Sequence, residues 1–283
     1  MGPMARSVAD LARLMDVMVG YDAEDPLTAL GVGHKPASYV ALLNKDSLKG
    51  ARLGVLRVDL GDNSEPDSQD YKNVMAAFNQ SVNELKSAGA IVFDPIVVPG
   101  LPELQRVPRE RPGGEEALKL WLARNPNSQF HTRADVAKSP DVDKIFPPSK
   151  AETWKRSPRP FDKGMYADYM LARQQLQSNI LKVMADNRLD AIVYRTMERS
   201  PSLIKEATTP PYRGNAGIPT LNTFLVYVPA ITVPSGFTPE KLPTGLTFLG
   251  RPYGDAAVIT LAYAYEQATH HRIPPSTTPP LGK

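Results

Sequence analysis

An α/β fold is predicted by the order of the hydrophobic patterns, and three stretches carry the prediction. The run KGARLGVLR holds a short apolar core, Leu53 to Leu56, bounded by glycine as a buried strand would be. Val74, Phe78, Val82 and Leu85 then recur at helical spacing up to Gly89, and AIVFDPIVV follows as a second apolar run. Strand, helix and strand with short joins make a crossover unit of a parallel sheet.

The remaining elements follow from the same signals. Ser7 is a good N-cap with an acid, Asp10, three residues on, and Val8, Leu11, Met15 and Met18 form a helical face that Gly20 stops. Arg6 and Asp10, four apart, are placed to pair. From Leu101 to Phe161 the periodicity weakens into segments rich in proline and charge, interrupted by a short helix around Glu115 to Leu122. Lys155, Arg156 and Arg159 lie there and read as a solvated loop face. Met165, Tyr169, Leu176, Ile180 and Val183 restore a helical face, which runs into LDAIVY as a strand. After the loop TTPPYRGNAGIPTLN, VPAITVP and GLTFLG read as two strands around a turn-rich link, and Asp255 is expected to cap a last helix burying Val258, Leu261, Ala262 and Tyr265. No repeat is visible, so residues 1–283 are read as one domain with a loop-rich insertion at 101–161.

Composition narrows the function classes. The 283 residues are 42% hydrophobic and 22% charged, and the net charge of +3 is spread without long runs of one sign, which does not suggest a nucleic-acid groove. Cysteine is absent, which removes disulfides, thiolate zinc sites and a cysteine nucleophile together. The longest apolar stretch, Phe224 to Val233, is about half of a membrane span and contains Pro229, and the N-terminus lacks a signal-peptide pattern. Cytoplasmic location is the expectation.

Motifs exclude more than they assign. Neither Gly-x-Ser-x-Gly nor the Walker phosphate loop occurs. His270 and His271 are adjacent near the end of the last helix, where positive groups complement the helix dipole, while His34 and His131 lack ligand partners at useful spacing. No metal site and no cofactor are expected. Ser235, in VPSGF, is expected just past a strand; turn serines there are commoner than nucleophiles. Arg195, directly after LDAIVY, stands where ligands gather in open α/β sheets, at the carboxyl end of a strand. Asn222 and Thr223, where a loop enters the next strand, are placed either to orient an amide or carboxylate or to satisfy loop backbone.

Two longer stretches carry a resemblance. GPMARSVADLARLMDVMVGYDAEDPLT resembles the segment of amidase signature enzymes that follows their catalytic serine loop, and NTFLVYVPAITVPSGFTPEKLPTGLTFLGRPYGDAAVITLAYAYEQATHHRIPP resembles that family's C-terminal strand pair and final helix. LDAIVYRT resembles the strand that usually ends in proline and threonine, with Arg195 in the proline's place.

The resemblance implies an α/β/α sandwich around a mixed, largely parallel sheet, and hydrolysis of carboxylic amides or of esters. It also implies a serine nucleophile, a second serine in a cis peptide, a lysine and a glycine-rich oxyanion loop. All of those lie before the GPM segment, so none is carried over here and the catalytic residues are left unassigned. On this reading the chain is the C-terminal portion of an amidase, begun at an internal methionine or cut there, and its fold is incomplete relative to the family's. By the same analogy Tyr194, Arg195 and Thr196, with Gly217, Asn222 and Thr223, wall a substrate crevice, and Arg195 is offered as a bidentate holder of a substrate carboxylate. A half-sandwich exposes sheet edges and apolar faces, so a complementing N-terminal fragment or a second copy is the expected partner beside a small amide or ester; neither nucleic acid nor membrane is. The alternative function is a non-catalytic small-molecule-binding or interaction module derived from an amidase.

Overall fold

The structure is a computed structural model that describes residues 2–61, 64–110, 114–145, 152, 160–208, 217, 219, 221–225 and 228–277; the side chains of residues 115, 143, 145, 207, 208, 222 and 223 are outside that description. Lys155, Arg156 and Arg159 therefore lie outside the described residues.

The chain separates into two compact units, residues 1–102, 176–201 and 215–283 in the first and 103–175 and 202–214 in the second. Most of the 101–161 segment belongs to the second. That unit contains α4 (Gly114–Arg124), α5 (Arg133–Lys138) and α6 (Val142–Ile145), all short, and the start of the long helix α7 (Lys163–Asp186). Thr132 and Asp135 close a capping box on α5, each side chain satisfying the other's backbone N–H. The short α8 (Ile204–Thr208) also falls in it, whereas α3 (Leu101–Gln105) straddles the boundary.

The first unit holds the sheet. Its strands are β1 (Arg52–Leu56), β2 (Ile91–Ile96), β3 (Ala191–Arg195), β4 (Ala230–Phe237) and β5 (Pro243–Leu249), in the order β2-β1-β3-β5-β4. β1 is parallel to both β2 and β3, β5 runs against β3 and β4, and β4 therefore points along the first three. This is the mixed, largely parallel sheet expected.

One face of the sheet, with Val55, Val193, Phe248 and Val233, packs on α2 (Gln69–Ser87) and α10 (Asp255–Thr269), and α1 (Val8–Met18) packs in turn on α10. Val74, Phe78, Val82 and Leu85 of α2 are buried as their spacing required, as are Val258, Leu261, Ala262 and Tyr265 of α10. The Ser7 hydroxyl accepts from the Asp10 amide at 3.1 Å and caps α1, but Asp10 pairs with Arg13 rather than with Arg6. Arg13 is one turn further along the same face, within reach of a short carboxylate. Gly254, not Asp255, is the N-cap of α10; Asp255 opens the helix and its charge faces the positive end of the dipole.

Gly54 lies at the middle of β1 because nothing larger fits. A Cβ there would stand 2.6 Å from Leu189 Cδ1 and 2.9 Å from Ile96 Cδ1. Gly54→Ala is expected to cost about 1–3 kcal/mol through forced displacement of those side chains, read as a lower urea midpoint with an unchanged slope.

The end of α10 is fastened to α2. His270 adopts a left-handed conformation and closes the helix on the Glu266 carbonyl, and His271 Nε2 lies 2.8 Å from Glu84 Oε2, which also accepts from the Tyr265 hydroxyl at 2.7 Å. Burial alone would raise the Glu84 carboxyl, but the hydrogen bonds from His271, Tyr265 and Gln80 outweigh it and hold Glu84 below the usual carboxylate range. A depressed carboxylate contributes stability above its unfolded value, about 4.5, and that contribution disappears as pH falls through the lower folded value. Glu84→Gln should therefore cost about 1–3 kcal/mol at pH 7, with the gap to the parent closing in acid. A gap that is constant with pH would contradict the assignment.

Candidate functional site

β1 leads through α2 to β2 on one side, while β3 lies on the other side of β1, so the strand order reverses between the carboxyl ends of β1 and β3. That reversal is where open α/β sheets form ligand crevices. Here the place is filled by the chain's own charges. Arg195 ends β3 with 2% of its surface exposed, and its guanidinium pairs with Asp59, donates to the Arg57 carbonyl at 3.1 Å and reaches Tyr71 Oη at 3.3 Å and Glu198 Oε1 at 3.4 Å. The fully buried Glu198 carboxylate accepts from the Leu60 and Gly61 amides and from the Ser64 hydroxyl. Next along the chain, Arg199 pairs with Glu65 at 3.2 Å and lies 3.7 Å from Asp70, which in turn accepts from the Ser200 amide.

These contacts stitch the segment after β1 to the segment after β3. They also change the expectation for Arg195: its charge is met by two carboxylates, the buried Glu198 and the partly exposed Asp59, so both terminal guanidinium nitrogens are already engaged and Nε alone is left without a partner. Tyr71, at the start of α2, shares the cluster, and its phenol is pushed up to about 12 by burial and then by the Asp59 carboxylate it donates to at 2.6 Å.

The residues expected to wall a crevice separate into two groups. Thr196 and Gly217 are brought to the same loop pair: the Thr196 amide donates to the Gly245 carbonyl at 2.9 Å, and the Glu198 amide donates to the Gly217 carbonyl at 2.8 Å. Gly217 has φ +67, and a Cβ there would meet Arg199 Cγ at 3.0 Å, so glycine is needed both for conformation and for space. Tyr194 is buried on the opposite sheet face from Arg195, and that burial pushes its phenol well up. On the Tyr194 face a row of hydroxyls runs from Thr196, just past β3, across β5 to β4, Thr196 Oγ1 to Thr247 Oγ1 at 2.8 Å and Thr247 Oγ1 to Thr232 Oγ1 at 2.9 Å. Asn222 and Thr223 fall in the short helix α9 (Leu221–Phe224), but their side chains lie outside the described residues.

Ser235 is not past a strand but inside β4, buried at 3% exposure, its hydroxyl 3.1 Å from Thr244 Oγ1. His34 stacks on Tyr253 with ring centroids 3.8 Å apart. Among the described residues no group of His, Cys, Asp and Glu is arranged to hold a metal ion, and no helix is long and apolar enough to cross a membrane.

Sequence reasoning missed Asp59, Ser64, Tyr71 and Glu198. The one available signal was a charged run, Arg195, Glu198 and Arg199, immediately after a buried strand, together with acids in VDLGDNSEPDSQD after another. Buried charges need partners, and two such segments following adjacent parallel strands are each other's nearest source.

The fold has a known family. The Amidase family model matches residues 1–259, so the chain belongs to the amidase family. A glutamyl-tRNA(Gln) amidotransferase subunit of Symbiobacterium thermophilum is 27% identical over 305 residues, covering 100% of this chain and 57% of that protein. A probable amidase of Arabidopsis thaliana is 25% identical, covering 97% of this chain and 49% of its own length. The solved peptide amidase from Stenotrophomonas maltophilia superposes with a TM-score of 0.72 at 27% identity, over 97% of this chain and 54% of that one. The chain thus spans about half the length of the curated relatives it matches, and the amidase fold it shows is incomplete by the same measure.

Proposed function

We propose that this chain is the crevice-wall part of an amidase-type hydrolase that cleaves carboxylic amides or esters in the cytoplasm, and that a complementing N-terminal segment supplies the serine and lysine machinery. The observation that carries this reading is the family match across residues 1–259. Tyr194, Thr196, Gly217, Asn222 and Thr223 form the wall facing the acyl group. Arg195 acts from behind it as a positioning residue, because its bonds to Asp59 and Glu198 fix the loops on either side. No cofactor takes part.

Acyl transfer to serine is read directly by a fluorophosphonate probe followed by mass-spectrometric mapping of the labelled peptide. The chain alone is expected to stay unlabelled; coexpressed with an amidase segment bearing the serine loop, label is expected on that segment. Label on a serine of this chain would overturn the division of labour. No label in either case would favour the binding-module reading.

A further inference from the structure

We infer that Thr196 and Thr232 hold the two polar sides of a substrate amide, its carbonyl and its N–H, and that the buried Thr247 between them is a positioning residue that gives the two hydroxyls opposite roles. The three share one face of the sheet. Thr232 of β4 lies directly across from Thr247 of β5 in the register, and Thr196 follows the carboxyl end of β3. Their oxygens are joined through the middle one, at 2.8 Å on one side and 2.9 Å on the other. The outer two side chains converge over Gly245, where a Cβ would stand 2.7 Å from Thr196 Oγ1 and 3.1 Å from Thr232 Cγ2.

Counting protons assigns the roles. Thr247 has 2% of its surface exposed, whereas Thr196 is half-buried and Thr232 is exposed. Each hydroxyl has one proton to give and two lone pairs to offer. Tyr194 lies opposite Thr247 on β3, but its buried hydroxyl has no hydrogen-bond partner among the described residues, so it takes no proton from the row. If both outer hydroxyls donated inward, the buried Thr247 proton would have no acceptor, a state that buried polar groups avoid. Thr247 therefore donates to one neighbour and accepts from the other. The neighbour that receives keeps its own proton for an outside acceptor, and the neighbour that donates inward has only lone pairs left for an outside donor. A carboxamide presents the matching pair, a carbonyl oxygen and an N–H on adjacent atoms. Reversing both bonds exchanges the ends, so the row fits that group in either orientation. Esters and tertiary amides have no N–H and satisfy one end only. The inference rests on the crevice-wall reading and narrows its substrates to primary and secondary amides.

Threonine-methyl NMR of the full chain tests it without catalysis. Benzamide is expected to shift the Thr196 and Thr232 methyl signals saturably, and to bind about 5- to 10-fold more tightly than N,N-dimethylbenzamide or methyl benzoate. Thr247→Val keeps the side-chain shape but interrupts the row, and should abolish that preference; Thr247→Ser keeps the hydroxyl and should restore it. Three probes that bind equally, or benzamide that shifts neither methyl, would overturn the proposal, and so would a preference that Thr247→Val leaves unchanged. A Thr232 methyl that stops responding to benzamide once the coexpressed segment is present would also overturn it, because the segment would then hold that end itself. Absence of turnover in the coexpressed pair contradicts the hydrolase reading alone, since the methyl titration is made on the chain without that segment.

Discussion

Replacing Arg195 by methionine should remove about 3–5 kcal/mol of stability, because the substitution leaves the buried Glu198 carboxylate without its cation and strips a partner from Asp59. The size comes less from the strength of the ion pairs than from the cost of an unpaired charge in a site closed to water. Methionine keeps much of the side-chain length, so lost packing contributes little. The double variant behaves differently. Arg195→Met combined with Glu198→Leu removes both charges, and should be closer to the parent than Arg195→Met alone, since an apolar replacement of a whole buried pair is often near neutral. Urea unfolding of the four proteins of this cycle measures it. A single-variant loss below about 0.5 kcal/mol, the usual size for a surface position, would show that the cluster is solvated and the burial of Arg195 wrong.

Glu198→Ala is expected to be as costly, about 3–5 kcal/mol, but with a different local signature. This carboxylate accepts from the Leu60 and Gly61 amides, from the Ser64 hydroxyl and from Arg195. Its removal takes one acceptor from each of four donors in two segments, of which the Ser64 hydroxyl keeps the Gly61 carbonyl and the Arg195 guanidinium keeps Asp59, and a buried donor left unsatisfied costs about 1–3 kcal/mol on its own. Hydrogen exchange at the Leu60 and Gly61 amides should accelerate far more than in the helical part of α2, because the 57–65 segment loses its anchor while the helix keeps its ladder. Glu198→Gln retains one acceptor oxygen without the charge and should fall between alanine and the parent. Equal acceleration throughout the unit would mean global unfolding instead of release of that loop.

What the sequence displayed well was the periodic part. The α2 face, the apolar cores of β1 and β3, and the inward face of α10 are set by burial against a single sheet, and burial has a period that can be read one residue at a time. The family resemblance rested on the opening segment, on LDAIVYRT and on the closing strand pair and helix, and the family is matched over residues 1–259. Local capping was less secure: Ser7 behaved as read, but the first residue of α10 and the partner of Asp10 depended on one-residue offsets that the pattern does not fix.

The site was harder for a different reason. Arg195 was read as following a strand and ends β3, yet what its side chain meets depends on Asp59, 136 positions away, and on whether that acid reaches it before any ligand does. Nothing in a linear pattern announces such a pairing. Ser235 shows the same limit: its position beside a glycine resembled a turn, whereas β4 extends through it to Phe237 and its hydroxyl is spent on Thr244. Gly217 was chosen through the resemblance, and its structural reason, a positive φ under Arg199, becomes visible only when the two loops are in contact.

Whether the acyl-transfer machinery is supplied from outside this chain is decided by steady-state hydrolysis of an aryl amide, measured for the chain alone and coexpressed with an amidase segment that carries the serine loop. No turnover above buffer is expected from the chain alone, and turnover is expected with the pair that is lost when the segment's nucleophilic serine becomes alanine. Full turnover by the chain alone, or turnover by the pair that survives that alanine, would refute the complementation reading.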